Sequence, residues 1–334
     1  MQHIIEVVAK NLHDTIYTAI NLQQTEKAVV IYDTEAPLTK LILEGYKKAI
    51  PEAEFIDFRS VTVESVREKI NTLQRGDLVV LLQSTNFRLN EFRFRIELFE
   101  RGLKTIEHIH LARIDESQFE TYCNALYYDA NFYRPLGIAL KQRLDVCNNV
   151  RVMCDGTELV YPVGMESSKL NIGDYTGMKN VGGTFPIGEV FTESKDLTKV
   201  NGAVKIFAYA GMDHKMRLVK PFTALVTNGV LTAPDAPQEF QDILKMIAED
   251  EEVLVREFGL GLNRALGKEK VVNDITAFER QLGLHLSLGA KHAIYPKPGL
   301  NRKTGRYHVD VFIDIETVTV DDEVIYKDGA FTVV

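Results

Sequence analysis

Lys27-Ala28-Val29-Val30-Ile31-Tyr32 opens a pattern that decides the fold of the first half of the chain. A helical stretch from about Ala36 to Ile50 follows, then Glu54-Phe55-Ile56-Asp57-Phe58, a second helical stretch from Val63 to Leu73, and Asp77-Leu78-Val79-Val80-Leu81-Leu82. Strands that are apolar without alternation are buried on both faces. Such strands, alternating with helices, predict a parallel sheet covered on both sides. Outward from this core, Ile5, Val8, Ala9, Leu12, Ile16 and Ile20 keep helical spacing and predict a helix over 1–24. On the other side come a helix over Glu91–Arg101, a strand Ile106–Leu111 and a mostly helical 116–147. No GxGxxG or GxxxxGK[ST] accompanies these strands, so no nucleotide fingerprint is present. His108 and His110 would share a strand face, and are read as satisfied core or sheet-end histidines rather than ligands. The run Asn90-Glu91-Phe92-Arg93-Phe94-Arg95 reads as a solvated helix face.

Near residue 150 the texture changes. Arg151–Cys154 and Glu158–Tyr161 flank Asp155-Gly156-Thr157, a hairpin signature. Strand patterns recur at Val204–Tyr209, Phe222–Val226, Val230-Leu231 and Val253–Glu257, interrupted by one helix over Pro237–Glu249. The expectation is an α/β domain with a parallel sheet over 1–150, followed by a mostly antiparallel α+β metal-binding domain over 151–334.

The chain has 334 residues, 45% of them hydrophobic and 26% charged, an ordinary soluble composition. A net charge of -8 argues against broad nucleic-acid binding. No apolar run approaches the ~18–20 residues needed to cross a bilayer. The N-terminus lacks a basic region followed by an apolar one, so no signal peptide is expected. The three cysteines, Cys123, Cys147 and Cys154, lack CxxC spacing and read as reduced thiols of a cytoplasmic protein.

The chemistry concentrates in Gly283–Asp310. Alternation along a strand places Leu282, Leu284, Leu286 and Leu288 on one face and Gly283, His285, Ser287 and Gly289 on the other. A histidine flanked by glycine and serine has open space beside it. His308 and Asp310, two apart, point the same way. Two acids stand in comparable surroundings: Glu189, after a Gly- and Pro-rich approach from Gly182, and Glu257, which shares its face with Gly259 and Gly261. Taken singly each has a plainer reading, Glu189 as a strand-edge acid and Glu257 as a partner of Arg256 or Arg264. Ionised carboxylates in apolar surroundings are costly unless paired or metal-bound. Glu189, Glu257 and Asp310 carry three negative charges together, which two divalent cations and a hydroxide would balance. Taken together, the five read as a metal site.

The order Pro-x-Gly-Glu-Val-Phe-Thr-Glu at 186–193, Glu-Phe-Gly-Leu-Gly-Leu-Asn at 257–263, a glycine-led histidine strand and His-x-Asp at 308–310 resembles the aminopeptidase T family of metallo-aminopeptidases. The resemblance runs from about residue 150 to the end. It implies two divalent ions, commonly zinc or cobalt with manganese or magnesium as options, held by Glu189, Glu257, His285, His308 and Asp310. It also implies a homodimer whose site opens into a shared internal space, and hydrolysis of the N-terminal residue from peptides or amino-acid amides by an activated water. Glu257 would handle the proton. The family's catalytic tyrosine falls on His292 by direct count, or on Tyr295 if the loop is shifted. The basic loop Lys297–Arg306 reads as an exposed hairpin, with a substrate-carboxylate contact as the sharper alternative. The same fold resembles iron-dependent ring-cleaving dihydroxypyridine dioxygenases, which use two histidines and an aspartate and lack the two acids. A metal-binding homologue without peptidase activity is the third reading.

Overall fold

The computed structural model describes residues 2–87, 94–291, 294–297 and 305–333. The chain forms two compact units, and neither is continuous. The first takes residues 1–133, 173–187 and 270–277, and the second takes 134–172, 188–269 and 278–334.

The first unit is built on a five-stranded, wholly parallel sheet in the order Glu54–Asp57, Ala28–Tyr32, Leu78–Leu82, Lys104–His108, Gly182–Thr184. Leu78–Leu82 is buried along its whole length, as a strand covered on both faces must be. On one face Val29, Ile31, Val79 and Leu81 pack with Val66 and Ile70 of the Val63–Asn71 helix and with Phe94 and Leu98. That helix starts where Thr62 accepts a hydrogen bond from the Ser65 amide, an N-cap of the usual kind. The Pro37–Ala49 helix begins on a proline, whose missing N–H costs nothing in a first turn.

Several expectations change here. The N-terminal helix is α-helical only over Gln2–Asp14 and continues as a wider π turn over Thr15–Ala19. Gly182–Thr184, read as an irregular approach to Glu189, is the fifth strand of this sheet. Gly182 has φ +99, and a Cβ there would overlap the Thr105 carbonyl, so only glycine lets the strand close on its neighbour. The predicted strand to Leu111 ends at His108, because His110 is left-handed (φ 58). The two histidines therefore do not share a strand face. Of the run 90–95, residues 90–93 lie outside the described residues; Phe94 is buried and Arg95 pairs with Glu107 at 2.7 Å rather than facing solvent.

His108 is a satisfied core histidine. Its Nε2 lies 2.7 Å from the Tyr46 hydroxyl and its Nδ1 3.0 Å from that of Tyr122. Burial pushes its pKa down to about 3. Between that value and the unfolded ~6.5, the unfolded chain binds one more proton than the folded one. Stability is thus retained above pH 6.5 and falls by about 1.4 kcal/mol per unit as the pH drops towards 3. His108→Gln is expected to be the less stable protein at pH 7 and to close that gap as pH falls to 4 in urea unfolding. A constant gap would mean that His108 does not resist protonation.

The second unit carries an antiparallel sheet of 13 strands among the described residues. Its path runs Ala330–Phe331, Glu323–Lys327, Ile315–Val320, Val150–Cys154, Thr157–Tyr161, Asn201–Ala210, Val309–Ile313, Gly283–Leu288, Val255–Gly261, Glu189–Glu193, Lys169–Asn171, with Met216–Thr227 and Val230–Thr232 branching from Asn201–Ala210. The Gln238–Ala248 helix buries Phe240, Ile243 and Ile247 at helical spacing, with Phe240 against Tyr209 and Phe222 at 4.9 and 5.2 Å. The strand expected over Val253–Glu257 runs instead over Val255–Gly261. Its glycines are poor strand formers alone, but a ladder on each side holds them in the sheet. All three cysteines are buried and free, and no helix of the described residues is long and apolar enough to cross a membrane.

Candidate metal centre

Four neighbouring strands of the second unit carry Glu189, Glu257, His285 and Asp310, and His308 stands one residue before the strand Val309–Ile313. Reading across, Glu189 opposes Gly261, Gly259 opposes His285, and His285 opposes Phe312, while Asp310 opposes Ser287. Directly opposed residues share a face, so Glu189, His285 and Asp310 fall on one side of the sheet. Glu257 enters through a β-bulge: between Val255 and Phe258 the strand carries one residue more than its partner between Leu288 and Leu286. Bulges re-aim side chains, and here the Glu257 amide turns to donate to Ser287 Oγ at 3.0 Å. Space for the imidazole comes from across the ladder. A Cβ on Gly259 would overlap Cε1 and Nε2 of His285 and lie 2.7 Å from Nδ1.

The ligand-type atoms of Glu189, Glu257 and His285 all lie within 4.8 Å of one another, with all three residues buried. His285 Nε2 is 3.3 Å from Glu257 Oε1 and 3.4 Å from Glu189 Oε1. His308 Nε2 stands 3.1 Å from Asp310 Oδ1, and its Nδ1 faces the Lys291 carbonyl at 3.2 Å. A backbone carbonyl on one ring nitrogen aims the other, the usual arrangement of a metal-binding histidine. Among the described residues His285 Nδ1 is buried with no hydrogen-bond partner, while Glu189 Oε1 and Asp310 Oδ1 are buried facing imidazole nitrogens, of His285 at 3.4 Å and of His308 at 3.1 Å, without a well-aligned hydrogen bond. Orphaned polar atoms of this kind are rare and call for an explanation. Carboxylate oxygens and imidazole nitrogens are donors that suit a divalent ion, so the residues fit the metal site expected from the sequence.

Electrostatics point the same way. Burial would lower the His285 imidazole, but its hydrogen bond to Glu257 and the Glu189 charge overcome this and raise it to about 9. Burial likewise opposes the charge on His308, and Asp310 beside it raises the pKa to about 10. Burial raises Glu189 despite the nearby Arg280 and His285 charges. Burial would raise Asp310 too, yet His308 holds its carboxyl below the usual range. Without a cation, then, protons on the imidazoles balance the buried acids.

Two residues of the candidate centre escaped the sequence reading. Arg280 Nη1 bridges Glu279 at 2.6 Å and Glu189 at 3.1 Å. The Glu279 carboxyl is raised to about 8, by burial first and by Asp310 next. Ala-Phe-Glu-Arg-Gln offered little sign of this, since adjacent opposite charges ordinarily mark a solvated turn. Of the two plainer partners suggested for Glu257, Arg256 and Arg264, the first forms a buried pair with Glu193. Tyr295 is buried, and its hydroxyl donates to the Ser167 carbonyl at 2.8 Å; burial pushes its pKa well up. His292 lies outside the described residues, as do 298–304 of the basic loop. Lys297 is not exposed as expected, but buried against Glu166 at 2.6 Å, and Arg306 pairs with Asp250 at 2.8 Å.

Fold and site together define a class: a two-unit chain whose antiparallel sheet brings two buried glutamates and one buried histidine within 4.8 Å, with a second histidine paired to a buried aspartate at the strand next to them. No family model matches the sequence, and no curated protein matches it. Among solved structures the chain is similar to wild-type AmpT from Thermus thermophilus, with a TM-score of 0.59 at 14% identity over 98% of this chain and 99% of that one. The likeness is one of fold. It covers nearly the whole chain, including the first unit.

Proposed function

We propose that this protein is a metal-dependent aminopeptidase, with Glu189, Glu257, His285, His308 and Asp310 holding two divalent ions. The observation that carries the reading is the buried convergence of Glu189, Glu257 and His285 beside the His308–Asp310 pair. The AmpT fold supports it. The mixed oxygen and nitrogen donors suit zinc or cobalt, with manganese or magnesium as lesser options. Ions held there supply Lewis acidity, making water a nucleophile near neutral pH and polarising the scissile carbonyl. The chain's own residues do the rest. Glu257 takes the proton of the attacking water and returns it to the leaving amine. Arg280 fixes the Glu189 carboxylate and holds the Glu279 carboxyl beside it. A carboxylate oxygen of the cluster receives the substrate's α-ammonium. Tyr295, turning from Ser167, or His292 stabilises the developing oxyanion. Catalysis is assigned to residues 151–334, the substrate to peptides or amino-acid amides, the working form to a cytoplasmic homodimer.

Titrating chelator-treated protein with zinc, cobalt or manganese while following hydrolysis of amino-acid amides tests the proposal. Activity is expected to appear with about two ions per chain and to vanish in Glu189→Ala. No activity with any metal, or full activity in that variant, would sink it. One iron per chain with ring cleavage would favour the dioxygenase reading, in which the two buried glutamates have no part. The same titration predicts proton release. Imidazoles raised to about 9 and 10 are protonated at pH 7 and must lose those protons to a metal. About two protons per chain should appear in weakly buffered solution, and apparent affinity should climb as pH rises towards 9. Uptake independent of pH would contradict the assignment of His285 and His308.

A further inference from the structure

A cavity of about 350 Å³ shares His308 with the centre as part of its lining. Met212, Ile243, Met246, Lys291, Tyr307 and His308 line it. The geometry points to a subsite in this cavity for the side chain of the substrate's first residue, selecting long uncharged apolar side chains and rejecting cationic ones. This rests on the aminopeptidase reading and names the specificity of that same site.

The floor is apolar. Ile243 is buried in the Gln238–Ala248 helix, and Met246, one turn on, lies beside it. Thioethers are polarizable and flexible, so Met212 and Met246 can fit side chains of differing shape. The volume is at the small end of ligand pockets, about 300–1,000 Å³, which suits one side chain rather than a peptide. His308 belongs to both places: its Nε2 faces Asp310 while its ring lines the cavity. A peptide whose first carbonyl sits at the cluster therefore has its first side chain within reach of the floor.

Charge sets what is refused. Arg306 is neutralised by Asp250 at 2.8 and 2.9 Å, and Tyr307 donates to the same carboxylate at 2.8 Å. Lys291 differs. Its amide donates to the Tyr307 carbonyl at 3.0 Å and its carbonyl faces His308 Nδ1, so main-chain bonds fix it at the cavity wall. Among the described residues no carboxylate pairs with its exposed ammonium. A lysine or arginine side chain entering the cavity would meet that charge, whereas leucine or methionine would not.

The test compares kcat/KM for leucine, methionine, alanine and lysine amides, using zinc-loaded full-length protein, in wild type, Met246→Trp and Lys291→Glu. Wild type should prefer leucine and methionine to alanine by at least about tenfold, the usual yield of a few methylenes in an apolar pocket, and should use lysine poorly. Met246→Trp should cut the leucine-to-alanine ratio by about tenfold. Lys291→Glu, which keeps the carbonyl on His308, should move the lysine-to-leucine ratio about tenfold towards lysine. Ratios unchanged in both variants would overturn the subsite while leaving the aminopeptidase reading intact. If wild type cleaves no amide, that reading fails, and calorimetric binding of leucine and alanine amides still decides the subsite. Tighter leucine binding that Met246→Trp abolishes supports it; equal or absent binding overturns it.

Discussion

A single methyl group at Gly259 is expected to lower metal affinity at least about tenfold and kcat/KM by about a hundredfold, without removing any candidate ligand. The added Cβ would overlap Cε1 of His285 and Nε2, the nitrogen that faces Glu257 and Glu189, and stand 2.7 Å from Nδ1. The imidazole cannot easily retreat. It is 1% exposed, and its partner on the next strand is Phe312, with ring centroids 6.0 Å apart. The ring must swing out of line with the two carboxylates, and a displacement of about 1 Å in a reacting constellation typically costs a hundredfold. The fold should survive, because overpacking at one site costs about 1–3 kcal/mol. Gly267→Ala is the control, since a Cβ there meets nothing within 4 Å. Chelator competition for zinc and amide hydrolysis would report the effect. Equal affinity and rate in Gly259→Ala and wild type would mean that His285 does not work from this position.

How legible this was from sequence depended on how locally each feature is encoded. Ala28–Tyr32 and Leu78–Leu82 announce a parallel sheet because burial on both faces leaves uninterrupted apolar runs. Gly182–Thr184 joins the same sheet with no such run, since its place is set by pairing with Lys104–His108 rather than by its own side chains. At the centre, the glycines beside Glu257 marked open space, but not whose ring would fill it. That ring arrives from another strand. The bulge at Arg256-Glu257 left no local mark, being a mismatch in count between two strands. Glu279 and Arg280 were missed for a related reason. Adjacent acid and base look solvated until Glu189, far upstream, is brought against Arg280 at 3.1 Å.

The largest effect on stability is expected at Arg256, whose partner was equally hidden. Arg256 is 2% exposed and Glu193 is fully buried. They meet as a two-pronged pair, Nε to Oε2 at 2.9 Å and Nη2 to Oε1 at 3.2 Å. Bidentate guanidinium–carboxylate pairs are among the stronger polar contacts. The remaining donors reach the carbonyls of Ala290 at 3.0 Å and Tyr295 at 3.4 Å, tying the segment after the His285 strand back to the sheet. Removing one partner of such a pair strands a buried charge, at a cost of about 3–5 kcal/mol. Lys297, 3.4 Å from Glu193, still offers some compensation, so Arg256→Met should lose about 3 kcal/mol in urea unfolding. Arg256→Lys should recover little, because an ammonium cannot reproduce the fork or reach both carbonyls. Arg256→Met combined with Glu193→Leu should be more stable than Arg256→Met alone, since apolar pairs often replace buried ion pairs without loss. If the double variant proves no better than the single one, the stranded carboxylate is not what destabilises the protein, and the loss lies in the carbonyl contacts to Ala290 and Tyr295.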